Sequence, residues 1–235
     1  MHQQPLVRLT GVTRTYPLGS VQVRALTGVS LDVSRGEFLA LAGPSGSGKT
    51  TLLNLIGCID KPDSGHIVID GVDVSRIPLH RLAATRRDTL GFIFQTFNLI
   101  PVLTAYENVE YPLLLQHIPS TLRSERVRYW LDQVGLSDQS RQRPDQLSGG
   151  QRQRVAIARA MAGEPKLVLA DEPTANLDSV TAAKILDLVE EINDRTHCTF
   201  IFATHDPALM ARARRCIRLH DGAIVNEPLQ QALAS

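Results

Sequence analysis

Residues Gly43-Pro44-Ser45-Gly46-Ser47-Gly48-Lys49-Thr50 follow directly on the apolar run Phe38-Leu39-Ala40-Leu41-Ala42. The string has the form G-x-x-x-x-G-K-[ST] between a strand pattern and a helix pattern, the context that separates a phosphate-binding loop from a chance match. Its glycines let backbone N–H groups turn inward around an anion with no Cβ in the way. The helix that follows aims its positive end at the same spot. Lys49 can reach the outer phosphates of a nucleoside triphosphate, and the Thr50 hydroxyl can ligate Mg²⁺. The competing reading is an ordinary Gly-rich strand-to-helix turn.

A second string bears carboxylates. Leu167-Val168-Leu169-Ala170 reads as a strand buried on both faces and ends in Asp171-Glu172-Pro173. Adjacent side chains on a regular strand point to opposite faces, so both acids can serve one site only where the strand gives out, and Pro173 breaks the ladder there. Asp171 would then support Mg²⁺, and Glu172 would orient or deprotonate an attacking water. A third string, Ser148-Gly149-Gly150, stands at a helix start. A serine N-cap, two unhindered N–H groups and a helix dipole suit phosphate oxygens, although a plain capped helix has the same form.

These strings need a frame to position them, and 235 residues suffice for one α/β domain with an insertion. Short β-branched runs recur at 6–9, 29–33, 38–42, 66–70, 91–94, 167–170, 199–203 and 216–219, with helical patterns between several of them. That alternation predicts a mainly parallel sheet with helices on both faces. Closely spaced early strands with turn signals at Asp63-Ser64-Gly65 and Asp70-Gly71 add an antiparallel β portion. From about 96 to 163 the pattern is helical, with Val127, Trp130, Leu131 and Val134 at helix spacing and Gly135 as a C-terminal cap. A helical subdomain over 96–163, inserted into a core of 1–95 and 164–235, is the expected organisation.

Composition narrows the partners. Twenty-five basic residues against 24 acidic ones, with no long single-sign block, give no electrostatic sign of nucleic acid. Arg212, Arg214 and Arg215 read as a solvated helix face. Cys58, Cys198 and Cys216 form no C-x-x-C pair and read as small apolar residues in a reducing compartment. Met1–Pro5 lacks a basic and apolar signal region, and no run approaches the length of a membrane span. A soluble, cytosolic chain is expected.

In order and spacing, GPSGSGKTT (43–51, ending in Thr51), LSGGQ (147–151), LVLADEP (167–173) and ATHD (203–206) resemble the nucleotide-binding domain of ATP-binding cassette (ABC) proteins over essentially the whole chain. The resemblance implies an ATP- and Mg²⁺-dependent ATPase that pairs head to tail as a homodimer. Each phosphate loop would be closed over by Ser148, Gly149, Gly150 and Gln151 of the other copy. It further implies that Gln95 touches Mg²⁺ or water, that His205 contacts the γ-phosphate, that Asp178 communicates across the dimer and that Tyr16 stacks on adenine.

Residues 91–115 resemble the ATPases of the macrolide-export and lipoprotein-release group, which drive an integral membrane protein by mechanical transmission. Phe97, Leu99, Ile100, Leu103 and Tyr106 there suit either a docking groove for that protein or the helical subdomain's own core. Lipoprotein-releasing members usually carry paired histidines where this chain has Phe97-Asn98, and macrolide exporters carry their membrane segment in the same chain. The reading is therefore a separate ATPase subunit at the inner face of the cell membrane, cargo unassigned. The alternatives are a soluble ABC ATPase acting on nucleic acid or ribosomes and a small-solute importer ATPase.

Overall fold

In a computed structural model, residues 4–225 are described. The chain order is β1 (Val7–Leu18), β2 (Val21–Val33), β3 (Phe38–Ala42), α1 (Lys49–Ile56), β4 (Ser64–Ile69), β5 (Val72–Asp73), α2 (Ala83–Thr89), β6 (Leu90–Phe94) and α3 (Ala105–Leu115). There follow α4 (Ser120–Gln133), α5 (Gly149–Ala162), β7 (Leu167–Asp171), α6 (Ser179–Thr196), β8 (Thr199–Thr204), α7 (Pro207–Arg212), β9 (Arg215–His220) and β10 (Ala223–Val225). The described residues divide into two compact units, 4–82 with 203–225, and 83–202. The stretch Met1–Gln3, part of the region read as lacking a signal, lies outside the described residues.

The first unit carries an antiparallel sheet in the order β2-β1-β4-β5. Alternation decides its register: Val7 and Leu9 are buried while Arg8 and Thr10 are exposed, and Val7 sits opposite Val33 on one side and Ile69 on the other. β3 has a different character. All five of its residues are buried, the mark of a strand covered on both faces, and it pairs in parallel with β9, which turns back into β10.

The second unit holds the strands β8-β7-β6, with β6 and β7 parallel. Lys166 ties the start of this layer: its N–H donates to Thr89 and its carbonyl accepts from Thr199. Among the described residues, 96–163 contains α3, α4 and α5 and no strand. α4 ends as its sequence predicts. Gly135 takes φ 69°, its N–H bonds Asp132 and the Leu136 N–H reaches Leu131, so the last carbonyls are satisfied. The architecture is thus α/β, with parallel strands, flanking helices and a separate antiparallel sheet.

One expectation is corrected. Arg212 ends α7, but Arg214 and Arg215 leave the helix, and Arg215 bonds the Asp32 carbonyl and the Glu37 carboxylate. The periodicity that suggested a helix face is broken because β9 claims Arg215 for its pairing with Leu39. The cysteines are free, with Cys58 and Cys198 buried. Burial pushes the Cys198 thiol up to about 12, so it behaves as an inert core group. Among the described residues no helix is long and apolar enough to cross a membrane.

Candidate functional site

In the first unit, the backbone leaves β3 at Ala42, turns through residues 43–48 and enters α1 at Lys49. Gly48 is the N-cap at φ 103° and supplies no side-chain bond to the first turn, and no acid stands there. The helix start therefore keeps N–H groups and a positive dipole end for an anion. Two glycines are required by space as well as by dihedral. A Cβ at Gly48 would meet the Ala25 carbonyl at 2.5 Å, and one at Gly43 the Leu219 carbonyl at 2.2 Å. The loop is held from beneath by the Gly222 N–H, 3.1 Å from the Ser47 carbonyl.

The side chains of this loop suit an anionic ligand. Lys49 is 8% exposed and donates to the Gly43 and Pro44 carbonyls at 2.7 and 2.9 Å. The Ser47 hydroxyl is buried with no hydrogen-bond partner. An orphaned hydroxyl beside a lysine satisfied only by its own loop fits a phosphate group, which supplies acceptors to both. Thr50 and Thr51 occupy the first turn of α1, where Thr50 is exposed. A cation bound there would find the hard oxygen donor that Mg²⁺ selects.

Tyr16, on β1, is half-buried. Its hydroxyl donates to Asp60 at 2.7 Å, and the Arg14 guanidinium lies 4.6 Å from the ring centroid. Arg14 also pairs with Asp60 and Asp63. One ring face is thus occupied by a cation. His205 follows the buried end of β8 and is exposed, and the next residue, Asp206, bonds the Thr204 hydroxyl at 2.9 Å.

In the second unit, Phe94 pairs with Asp171 in parallel register, so Gln95 and Glu172 leave adjacent strands at the same end. Carboxyl ends of parallel strands are where such sheets bind ligands. β7 stops at Asp171, and Glu172 takes φ 45°, a left-handed backbone that only a few per cent of non-glycine residues adopt. The strand gives out at the first acid, as the Asp-Glu-Pro string implies, and the second acid is re-aimed. The Asn176 amide donates to the Gln95 carbonyl at 2.8 Å.

Ser148 is the N-cap of α5 and forms a reciprocal box with Gln151. Its hydroxyl accepts from the Gln151 N–H at 3.3 Å, and the Gln151 side-chain Oε1 accepts from the Ser148 N–H at 2.8 Å. Gln151 is therefore spent on the cap, which leaves Gly149 and Gly150 at the open positions. A Cβ at Gly150 would meet Thr181 Cγ2 at 2.5 Å. Thr181 is itself held by Asp178, the N-cap of α6, which accepts from the Thr181 N–H at 2.9 Å and hydroxyl at 2.6 Å. Those two bonds hold the Asp178 carboxyl below its usual range. Asp178 and the Gly149-Gly150 pair are thus built into one junction.

Sequence reading did not find Arg159, Arg152 or Asn108. Phe97 and Asn98, after Gln95, take φ 62° and 47°, at a cost on the order of 1–2 kcal/mol for the phenylalanine and less for the asparagine, which tolerates this region. Arg159 donates to both of their carbonyls, at 2.9 Å for Phe97, and Arg152 lies 5.1 Å from the Phe97 ring centroid. Burial pulls the Arg159 guanidinium down to about 10. Asn108, fully buried, takes the Ile100 N–H and gives its amide to the Ile100, Leu103 and Thr104 carbonyls. The legible signal for Arg159 was a charge inside the small-residue run Ala156–Ala162, where an arginine is rare unless paired.

The first unit therefore holds Tyr16, the 43–51 loop and His205; the second holds Gln95, Asp171, Glu172, residues 148–151 and Asp178. Residues 26–175 match the ABC transporter family. The chain belongs to the ABC transporter family. It is an ATP-hydrolysing cassette. The macrolide export ATP-binding/permease protein MacB 1/2 of Paracoccus denitrificans is 47% identical over 94% of the chain, and the chain spans 33% of that relative. An ABC transporter ATP-binding protein of Thermotoga maritima is 46% identical over 93% of each sequence. A dimeric ATP-binding cassette in a post-hydrolysis state with ADP and Pi superposes with TM-score 0.87 at 44% identity, covering 94% of this chain and 97% of its own. The cassette described here is thus about a third of the length of its macrolide-export relatives and nearly the whole of the Thermotoga one.

Proposed function

We propose that two copies of this cassette close around two Mg-ATP and drive an integral membrane subunit of the macrolide-export type. The reading is supported most directly by the 44% identity to a cassette described as dimeric and bound to ADP and Pi. On it, Lys49 and the N–H groups of 43–50 hold the phosphates, with the Ser47 hydroxyl finding its missing partner there. Adenine stacks on the Tyr16 face opposite Arg14. Thr50, Asp171 and Gln95 would hold Mg²⁺, which would neutralise charge building on the phosphate oxygens. Glu172 orients and deprotonates the attacking water, and His205 steadies the γ-phosphate.

Gly149 and Gly150 of one copy, oriented by the Ser148–Gln151 box, donate to the nucleotide of the other, and Asp178 reports across the seam. A single phosphate loop leaves one side of the γ-phosphate open, and a two-fold arrangement closes both sites at once. Membrane attachment is supported by a groove of about 490 Å³ lined in part by Phe92, Phe94, Ile100, Tyr111 and Leu115. Leu115 is 49% exposed there, an apolar surface suited to an apolar helix of the membrane subunit. On this reading the cassette works at the inner face of the cell membrane.

Glu172→Gln tests the chemistry. ATP binding should persist while turnover falls at least about 10²-fold, the size of a lost general base. Hydrolysis near the wild-type rate would remove Glu172 from that role.

A further inference from the structure

We infer that Arg159 is a positioning residue for Gln95: from α5 it holds the segment after β6 in a left-handed conformation that Phe97 does not favour. This rests on the proposed role of Gln95. The side chain of Gln95 is exposed, yet its backbone is fixed on both sides. Its own carbonyl takes the Asn176 amide at 2.8 Å, and the carbonyls two and three residues later take the two arms of the Arg159 fork. Between them lie two successive left-handed residues, neither of them glycine, and one is a phenylalanine. Bulky residues leave that region unless something outweighs the cost.

Arg159 supplies the opposing force. A planar guanidinium bonds these two neighbouring carbonyls through separate nitrogens in fixed directions, a fork that a flexible lysine ammonium does not reproduce. Arg152, on the same helix, covers the Phe97 ring, and the Thr96 hydroxyl gives a bond of 2.7 Å to Asn98 Oδ1. Beyond the turn, the buried Asn108 fixes the backbone at Ile100, Leu103 and Thr104. The segment is therefore pinned at three successive points, and the central one comes from the helix whose first turn bears Gly149 and Gly150. The backbone that aims Gln95 and the two glycines at the helix start are carried by one rigid element.

The test measures kcat, KM and nucleotide affinity for four variants in parallel. Arg159→Met should lower kcat about tenfold, while the affinity for a fluorescent ATP analogue stays within twofold. Arg159→Lys, which keeps the charge but loses the rigid fork, should fall between. Phe97→Gly in the Arg159→Met background should restore at least half of the wild-type kcat, because glycine adopts the left-handed backbone without a clamp. Gln95→Ala separates the two levels. If it loses activity while Arg159→Met does not, or if Arg159→Met loses affinity and kcat together with no glycine rescue, the positioning role is overturned. If Gln95→Ala itself keeps full kcat, the functional reading of Gln95 fails instead.

Discussion

At the scale of single residues, the phosphate loop carries a cost in its ligand-free state. The Ser47 hydroxyl is 3% exposed and unpartnered, and an orphaned buried polar group costs about 1–3 kcal/mol. Ser47→Ala should therefore raise the melting temperature of the nucleotide-free cassette while shrinking the further rise on adding ATP. Thermal shift with and without nucleotide reads both. An unchanged ATP shift would mean that the hydroxyl has no part in phosphate binding. The loop itself was plain in the sequence because its spacing encodes a backbone shape. The Arg14–Asp60 setting of Tyr16 was not, since Asp60 lies 44 residues away and only the fold joins them.

Among the elements, those with one continuous reason to exist were the most legible. Phe38–Ala42 is apolar on both faces and forms β3 with the expected ends. The runs 6–9 and 29–33 reach much further, as Val7–Leu18 and Val21–Val33, because their outer halves pair with each other rather than bury. Val21 is 61% exposed, so no apolar pattern marks that half. β5 and β10, two and three residues long, are fixed by their partners alone. In α5 the apolar residues Val155, Ala158 and Ala162 carry the helical pattern, but such a pattern treats a charge as surface and so passes over Arg159. The same helix buries Gln153 completely with neither amide atom partnered. Gln153→Met, close in shape, should raise stability by about 1–2 kcal/mol. Chemical denaturation measures this, and a loss of stability would mean that the amide has a partner in solution.

For the whole molecule, near-equal opposite charges keep long-range fields small, and acid tolerance follows from the few carboxylates whose ionisation the fold favours. Burial pushes the Asp60 carboxyl up, but bonds from Tyr16, the Lys61 N–H and Arg14 outweigh it and hold it below its ordinary 3.8. Asp73 and Asp88 are also lowered. A depressed folded value means stability that is present above pH 3.8 and lost as pH falls through the folded value. Melting temperature should thus drop steeply below about pH 4, and less steeply in Asp60→Asn, where that proton linkage is gone. Equal slopes in the two proteins would contradict the linkage.

The central claim is that nucleotide closes two copies on each other. Glu172→Gln, saturated with ATP and Mg²⁺, should sediment as a dimer in analytical ultracentrifugation and return to monomer when Gly150→Val is added, because that side chain would both collide with Thr181 and block the helix start. A Glu172→Gln protein that binds ATP and stays monomeric, with and without its membrane subunit, would contradict the account.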